Sequence, residues 1–528
     1  MWSSIVAIAA LVAVGLAKQV PTCQYGEWSS CGGETCASNF KKGRMESFEL
    51  TATKFDAGRQ YMKMMTKEKL KSAAERVSCR KDGTCPELMG QAPTDGPRKC
   101  IDGAAGTIPG SSSPLACHNI DQLSFLSLDA LDMDHDDAYN RESNDIWGWT
   151  DPDNGEEYVI HCMTTGTSFV RISPDPENPT VVAFLPTHTS TSSWRDAKVI
   201  NNHAYIGSEA SGHGMQVFDL TRLRGQESLG VVSHDFHYNK VGNSHNIISN
   251  EETNTIFIVG ASGSYWSDYI SCSSGLHMVD VSDPKQPVFA GCYSEDGYTH
   301  DAQCVIYRGP DGRYTGREIC FNYNEDSLTI VDVTDRSNPV MVSKMGYDLS
   351  KYTHQGWLTE DQTMLLLDDE QDEYYEKNGD QNTYTYLWDV KDLRNPVWRD
   401  TFISTQQSID HNQYIKGDWT YQSNYEAGLR ILRIDQRGFQ LTETGFFDVL
   451  SDVDDGRVRY SGSWSNYPYF DSGVIAMTSI EYGLYLVKPD MERMEAEYFM
   501  QQNGLQSRDS RDPMCPTQTR ACPAPRCY

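Results

Sequence analysis

Four short blocks carry a histidine among polar neighbours: SHNII at Ser244, THDAQ at Thr299, THQGW at Thr353 and DHNQY at Asp410. Their histidines, His245, His300, His354 and His411, have the type and placing that could do chemistry. Neutral imidazole suits zinc, iron, copper or nickel, and nearby carboxylates can orient the far ring nitrogen. The run Asp368, Asp369, Glu370, Asp372 and Glu373 supplies such carboxylates and is also a candidate calcium site. Asp196, Glu209, His213, Asp301, Asn412, Asn424 and Glu426 are further candidate binding residues, because they recur at equivalent places along the chain. A lone histidine on a strand is ordinarily a hydrogen-bonded core residue. Four in phase leave two readings open, a transition-metal site on one axis or a repeated hydrogen bond between neighbouring elements.

The elements that must position them are short β-strands. Read with period 2, the stretch from Tyr298 to Pro339 gives strands over Ala302–Tyr307, Arg317–Asn322 and Ser327–Val333, each closed by Gly, Pro, Asp or Asn. The third of these recurs, followed each time by an Asp/Asn/Pro turn and another apolar run. Copies begin at Thr167, Gly214, Gly275, Ser327, Thr385, Gly428 and Gly483. A repeat of roughly 40 to 50 residues holding four strands is the signature of a propeller blade. Seven copies predict an all-β fold, a seven-bladed β-propeller of four-stranded blades over 122–490, with the segment Asp121 to Ser127 a candidate to close the ring. The first strand of a blade starts, and its second ends, on one face of such a ring. The histidines and the recurring polar residues therefore converge on one mouth of the central channel.

Residues 1–17 form an apolar run ending in small residues, as a cleavable signal peptide does, which sets the mature chain near Lys18. Residues 18–121 are a Cys-rich region and 491–528 a Cys-rich tail. Fifteen cysteines fit an oxidising compartment. Cys304 and Cys320 lie symmetrically about a GPDG turn and are expected to be disulfide-bonded, while Cys162, Cys272 and Cys292 leave at least one thiol unassigned. The chain lacks an Asn-x-Ser/Thr acceptor in which x is not Pro, and later apolar runs are too short to span a membrane. The net charge of −29 argues against nucleic acid and anionic membranes as partners. It is also the ordinary solvated surface of an acidic secreted protein.

Three lesser features complete the reading. Residues Arg59 to Val77 have helical composition, with Tyr61, Met64, Met65 and Leu70 as an apolar stripe that would pack on a neighbour. Asp132, Asp134 and Asp136 have calcium-loop spacing, but Asp137 and Ser143 stand where an EF-hand needs Gly and a bidentate Glu. Nucleophile elbows, metalloprotease helices, phosphate loops and dinucleotide fingerprints are missing from the sequence.

From Asp145 to about Lys488 the chain resembles the choice-of-anchor B family of secreted or surface propellers with LVIVD-type repeats. The blocks that carry the resemblance include NDIWGW, WRDAKV, SHNII, GLHMVDVSDP, YTHDAQCVIYRGPDGRYTGREICF, YTHQGWLTEDQ, DHNQYIKGDWTYQSNYEAGLRIL and SGSWSNYPYFDSG. WSSCGGETC from Trp28 and CPTQTRACPAPRC from Cys515 resemble thrombospondin type 1 modules, from which the insert between Cys36 and Cys79 departs. The propeller resemblance implies a fold and brings no activity with it. Three functions remain in view: a secreted propeller binding an extracellular protein or carbohydrate through its upper face, a metal-dependent enzyme with a histidine-ligated ion, and an acidic matrix protein stiffened by calcium.

Overall fold

The structure is a computed structural model and describes residues 66–82, 94–107, 114–134, 140–261, 269–348, 350–374, 381–450 and 458–504. Residues 1–65, the tail after 504, and with them the signal-peptide run and both thrombospondin-like stretches, lie outside the described residues.

Seven antiparallel sheets form the blades of a β-propeller. Blade 4 shows the pattern: Asp301–Ile306, Glu318–Tyr323, Leu328–Asp332 and Val340–Met345 pair in order from the axis outward. These are the strands the period-2 reading anticipates, each displaced by about one residue. Turn chemistry explains why the chain reverses where it does. Asn201 and Asn202 both have positive φ, 47° and 61°, the conformation of a two-residue hairpin whose twist matches its strands. Between the third and fourth strands, Asp280, Asp335 and Asp392 each accept the amide two residues on, at 2.9, 3.1 and 3.0 Å. These Asx turns are the physical content of the repeated Asp/Asn/Pro motif.

Each blade buries its faces against its neighbours. Phe321, Tyr323 and Ile330 of blade 4, for instance, share one apolar cluster with Leu365, Leu367 and Tyr386 of blade 5. The ring is closed by Ile120–Ser127, which pairs as the outer strand of blade 7 with Gly483–Pro489. Pro114–His118 and Ala104–Thr107 extend blade 6 outward, and Cys100 is bonded to Cys117 there. Cys304 and Cys320 are direct register partners and form a disulfide, as expected. Cys272 bonds to Cys292, so Cys162, buried in blade 1, keeps the free thiol.

Helices are few among the described residues. Helix α1 covers 66–82, α2 is the single turn Leu128–Leu131, and α3 is Met491–Gln502 after the last blade. No helix among the described residues is long and apolar enough to cross a membrane.

A candidate metal centre at the upper mouth

Every blade enters its first strand at the same end of the ring, here the upper mouth, and four consecutive blades place a histidine there. The rings form an arc: His245 to His300, His300 to His354 and His354 to His411 have centroid separations of 4.3, 4.2 and 4.5 Å. Trp464 of blade 7 continues the arc 4.7 Å from His411. In blade 5 the ladder register shifts between Thr353 and Gly356, a bulge that re-aims His354. Asp368 fills the gap by accepting the Gln355 amide at 2.9 Å and lies 3.2 Å from His354 Nδ1. A side chain at position 356 would meet Leu366 O at 2.5 Å and the Tyr323 ring, so only glycine lets this strand lie so close.

The hydrogen bonds fix the tautomers. His300 Nδ1 donates to the His354 carbonyl at 2.9 Å and His411 Nδ1 to the Trp464 carbonyl at 2.6 Å, because a carbonyl can only accept. His245 Nδ1 lies 2.5 Å from Glu209 Oε1. Burial, reinforced by neighbouring imidazoles, holds His300 and His411 well below the usual histidine range. Burial likewise pushes His354 down to about 4, with Glu370 opposing the shift. These rings are neutral at physiological pH, and the Nε2 atoms of His300 and His411 carry free lone pairs.

The lone pair of His411 matters because of Glu370. His354 Nε2 is 3.6 Å from Glu370 Oε2, and His411 Nε2 is 3.5 Å from Oε1. Among the described residues, His354, Glu370 and His411 form the one group of three donors able to hold a metal ion, with ligand atoms within 4.8 Å of one another. A tetrahedral zinc site has donor separations of about 3.4 Å. The two histidine–carboxylate distances are near that value already. Glu370 Oε2 is buried without a hydrogen-bond partner, and a bare imidazole nitrogen facing a carboxylate, as His411 Nε2 does, is stabilised by a cation between them.

The cation present comes from α1. Lys69 Nζ lies 2.5 Å from Glu370 Oε1, with Lys69 only 7% and Glu370 0% exposed. Tyr425 donates to the same oxygen at 2.6 Å, and the ammonium lies 5.7, 5.0 and 5.1 Å from the Tyr425, Tyr460 and Trp464 rings. Burial alone would raise the Glu370 carboxyl, yet the Lys69 ammonium and His354 together hold it below its usual value. Seven and eleven residues further along the same helix face, Arg76 Nε meets Glu142 at 2.5 Å and Arg80 donates to the Arg141 carbonyl. Arg76 also lies 3.6 Å from Glu481. Helix α1 therefore lies across the mouth from blade 5 to blade 1.

This reverses the expected stripe. Leu70 is 50% exposed and the buried face of α1 is basic, since a mouth lined with carboxylates stabilises cations more than alkyl groups; Tyr61, Met64 and Met65 lie outside the described residues. Lys69 at i, with Arg76 and Arg80 at i+7 and i+11, was the available signal.

The remaining candidates are scattered. Of the run 368–373, Glu370 faces the Nε2 atoms and Asp368 the Nδ1 of His354, while Asp369 accepts the Lys351 and Tyr352 amides, Asp372 the Tyr386 hydroxyl and Glu373 the Tyr384 amide. Asp132 is ion-paired to Arg141 at 2.9 Å, Asp134 donates its amide to Asp132 at 3.0 Å, and Asp136 lies outside the described residues. His213 is inside blade 2 beside Arg195. Asp196 is paired with Lys198 at 2.7 Å, and Asp301 lines the lower channel. Asn412 donates to the Trp464 carbonyl at 3.2 Å, Asn424 to Gln422 at 3.4 Å, and Glu426 binds Arg459 at 2.9 Å.

The repeat-family comparison agrees with this architecture. The LVIVD repeat model matches residues 259–295 and 322–346, which fall in blades 3 and 4. The fold and these repeats define the class: a seven-bladed β-propeller with LVIVD repeats. No curated protein matches the chain in sequence. Among solved structures, the chain is similar to a putative 6-phosphogluconolactonase from Bacteroides fragilis at 10% identity and a TM-score of 0.42, over 57% of this chain and 84% of that one. It is also similar to the Cps50 (Swd1) β-propeller domain of Myceliophteria thermophila at 11% identity and a TM-score of 0.42, over 66% and 95%.

Proposed function

We propose that this protein is a secreted, LVIVD-type propeller of the choice-of-anchor B kind that holds a divalent transition-metal ion between His354, Glu370 and His411 and uses its upper face to bind an extracellular partner. The observation that carries the metal reading is a pair of imidazole nitrogens facing the two oxygens of one buried carboxylate, of which Oε2, on the His354 side, has no hydrogen-bond partner. The second coordination sphere supports it, since each imidazole has its other nitrogen at a carbonyl or carboxylate, the arrangement that orients metal ligands. The disulfides among the described residues, Cys100–Cys117, Cys272–Cys292 and Cys304–Cys320, and the signal-like run at residues 1–17 support secretion. Lys69 is the intramolecular counter-charge of the metal-free protein, and metal entry displaces it from Glu370. Three protein donors leave a fourth position for a partner's ligand or for water, the basis of the enzymatic alternative.

Elemental analysis of protein purified without chelator or affinity metal tests this, beside a His354→Ala/His411→Ala variant. A stoichiometric transition metal present in the wild type and lost in the variant is expected. Metal in neither protein overturns the site and leaves a metal-free binding scaffold. Calcium in both would transfer the reading to acidic loops.

A further inference from the structure

At the other end of the same channel lies a bowl of about 770 Å³, within the roughly 300–1,000 Å³ typical of small-molecule sites. Its walls come from residues further along the first strands. Blades 1, 5, 6 and 7 contribute Trp147, Trp357, Tyr414, Tyr467 and Tyr469. These rings meet edge-on and hold one another in place: Trp147 on Tyr467 at 5.2 Å and 66°, Trp357 on Tyr414 at 5.0 Å and 72°. The lining is also acidic, with the half-buried Asp301 of blade 4 and with Glu251 and Glu360 among the lining residues.

The charges do not balance within the bowl. Lys198 is the one lysine or arginine among its described lining residues, and its ammonium is already bound by Asp196 at 2.7 Å. The Asp301 carboxylate accepts the Ala302 amide at 2.7 Å and pairs with no cation among the described residues. Burial, with Asp196 and Asp145 adding to it against Lys198, pushes this carboxyl up to about 8, so it is largely protonated in the empty bowl, and a cation seated beside it favours the ionised form. The wall also displays the geometry an incoming ammonium would use: Lys198 Nζ lies 4.6 Å from the centroid of the Trp147 ring.

We propose that the lower bowl binds a small organic cation, an alkylammonium or polyamine whose charged nitrogen meets Asp301 and whose methylenes lie against Trp357 and Tyr414. A neutral saccharide fits less well. The Gln355 amide is spent on both backbone groups of Gln413, Gln303 Oε1 on the Leu358 amide and Glu360 Oε1 on the Gly417 amide. Lys198 covers a face of Trp147 that a sugar ring would need. The inference is independent of the upper metal centre.

The test is titration of the full chain with spermidine and with tetramethylammonium, at constant ionic strength, read by tryptophan fluorescence and calorimetry, with maltotriose as the neutral comparison. Saturable amine binding is expected, weakened about tenfold or more in Asp301→Asn and in Trp357→Ala. Trp357→Phe, which keeps a ring, is expected to retain most of it, and unchanged thermal midpoints would show that the variants fold. Absence of saturation by either amine, saturation unaltered in both weakened variants, or saturation by maltotriose alone would overturn the proposal.

Discussion

The two ends of one channel are built from the same seven strands and solve the same problem differently. Each sets an ammonium between a carboxylate and aromatic rings: Lys69 with Glu370 and Trp464 above, Lys198 with Asp196 and Trp147 below. Below, the partners are two residues apart on one strand, so the ring supplies its own counter-charge. Above, they are 301 residues apart, and the cation arrives on a helix outside the blades. Charge balance at the upper mouth thus depends on α1 staying in place, whereas the Lys198–Asp196 pair below is self-contained.

The largest test of that contrast is the pair Lys69→Met and Lys198→Met. Removing one partner of a buried ion pair costs about 3–5 kcal/mol, and Lys69→Met should show this in chelator by urea unfolding and recover when zinc is supplied. Lys198→Met should cost less, because Asp196 still accepts the Ala197 and Ile247 amides, and should ignore zinc. Equal losses, both insensitive to metal, would erase the distinction.

A smaller test uses pH at the lower end. Burial, with Asp196 adding to it, raises the Asp145 carboxyl from 3.8 to about 7. The native state then holds this proton more tightly than the unfolded chain does. Its contribution to stability is present below about pH 4 and is lost as pH rises to about 7, by up to about 4 kcal/mol. Asp145→Asn should flatten that slope in a comparison of unfolding midpoints at pH 4.5 and 7.5. A slope identical to the wild type would mean that the carboxyl is ionised throughout.

The smallest concerns the wall of the bowl, where Cys304 is a lining residue. Replacing Cys304 and Cys320 by Ala opens a loop of 16 residues, which should cost about 3 kcal/mol. Metal content at the upper mouth should be unchanged, and a loss of metal would show that the two ends are coupled.

Legibility followed the source of each constraint. Period-2 runs and Asp/Asn turns encode strands locally, so the blades, the Cys304–Cys320 pairing and the closing strand Ile120–Ser127 were all readable in the sequence. The arc of histidines was readable too, because the repeat carries its own coordinate system. The burial of Lys69 was not. Apolar periodicity assumes that alkyl groups seek the interior, and Leu70 fits that rule while the structure exposes it. Nor did composition separate Glu370 from its acidic neighbours, because a bulge, two backbone amides and three tyrosines divide that run one residue at a time.

The seam that closes the ring also has a mechanical meaning. Ile120 pairs with Pro489 and Ser127 with Gly483, so the chain leaves both strands at the same end of the ladder, where the Asp490 amide donates to the Asn119 carbonyl at 2.8 Å. A pull applied where the chain enters Ile120 and leaves Pro489 loads that ladder one rung at a time, as a zipper is loaded, instead of shearing all rungs together. Glu497 of α3 lies 2.8 Å from His118 Nε2 and accepts from Asn119 at 2.8 Å, at the point where unzipping would begin. Helix α3 therefore acts as the catch on the zipper, and stretching in an optical trap should open a Glu497→Ala ring at lower force while the six other blades still resist.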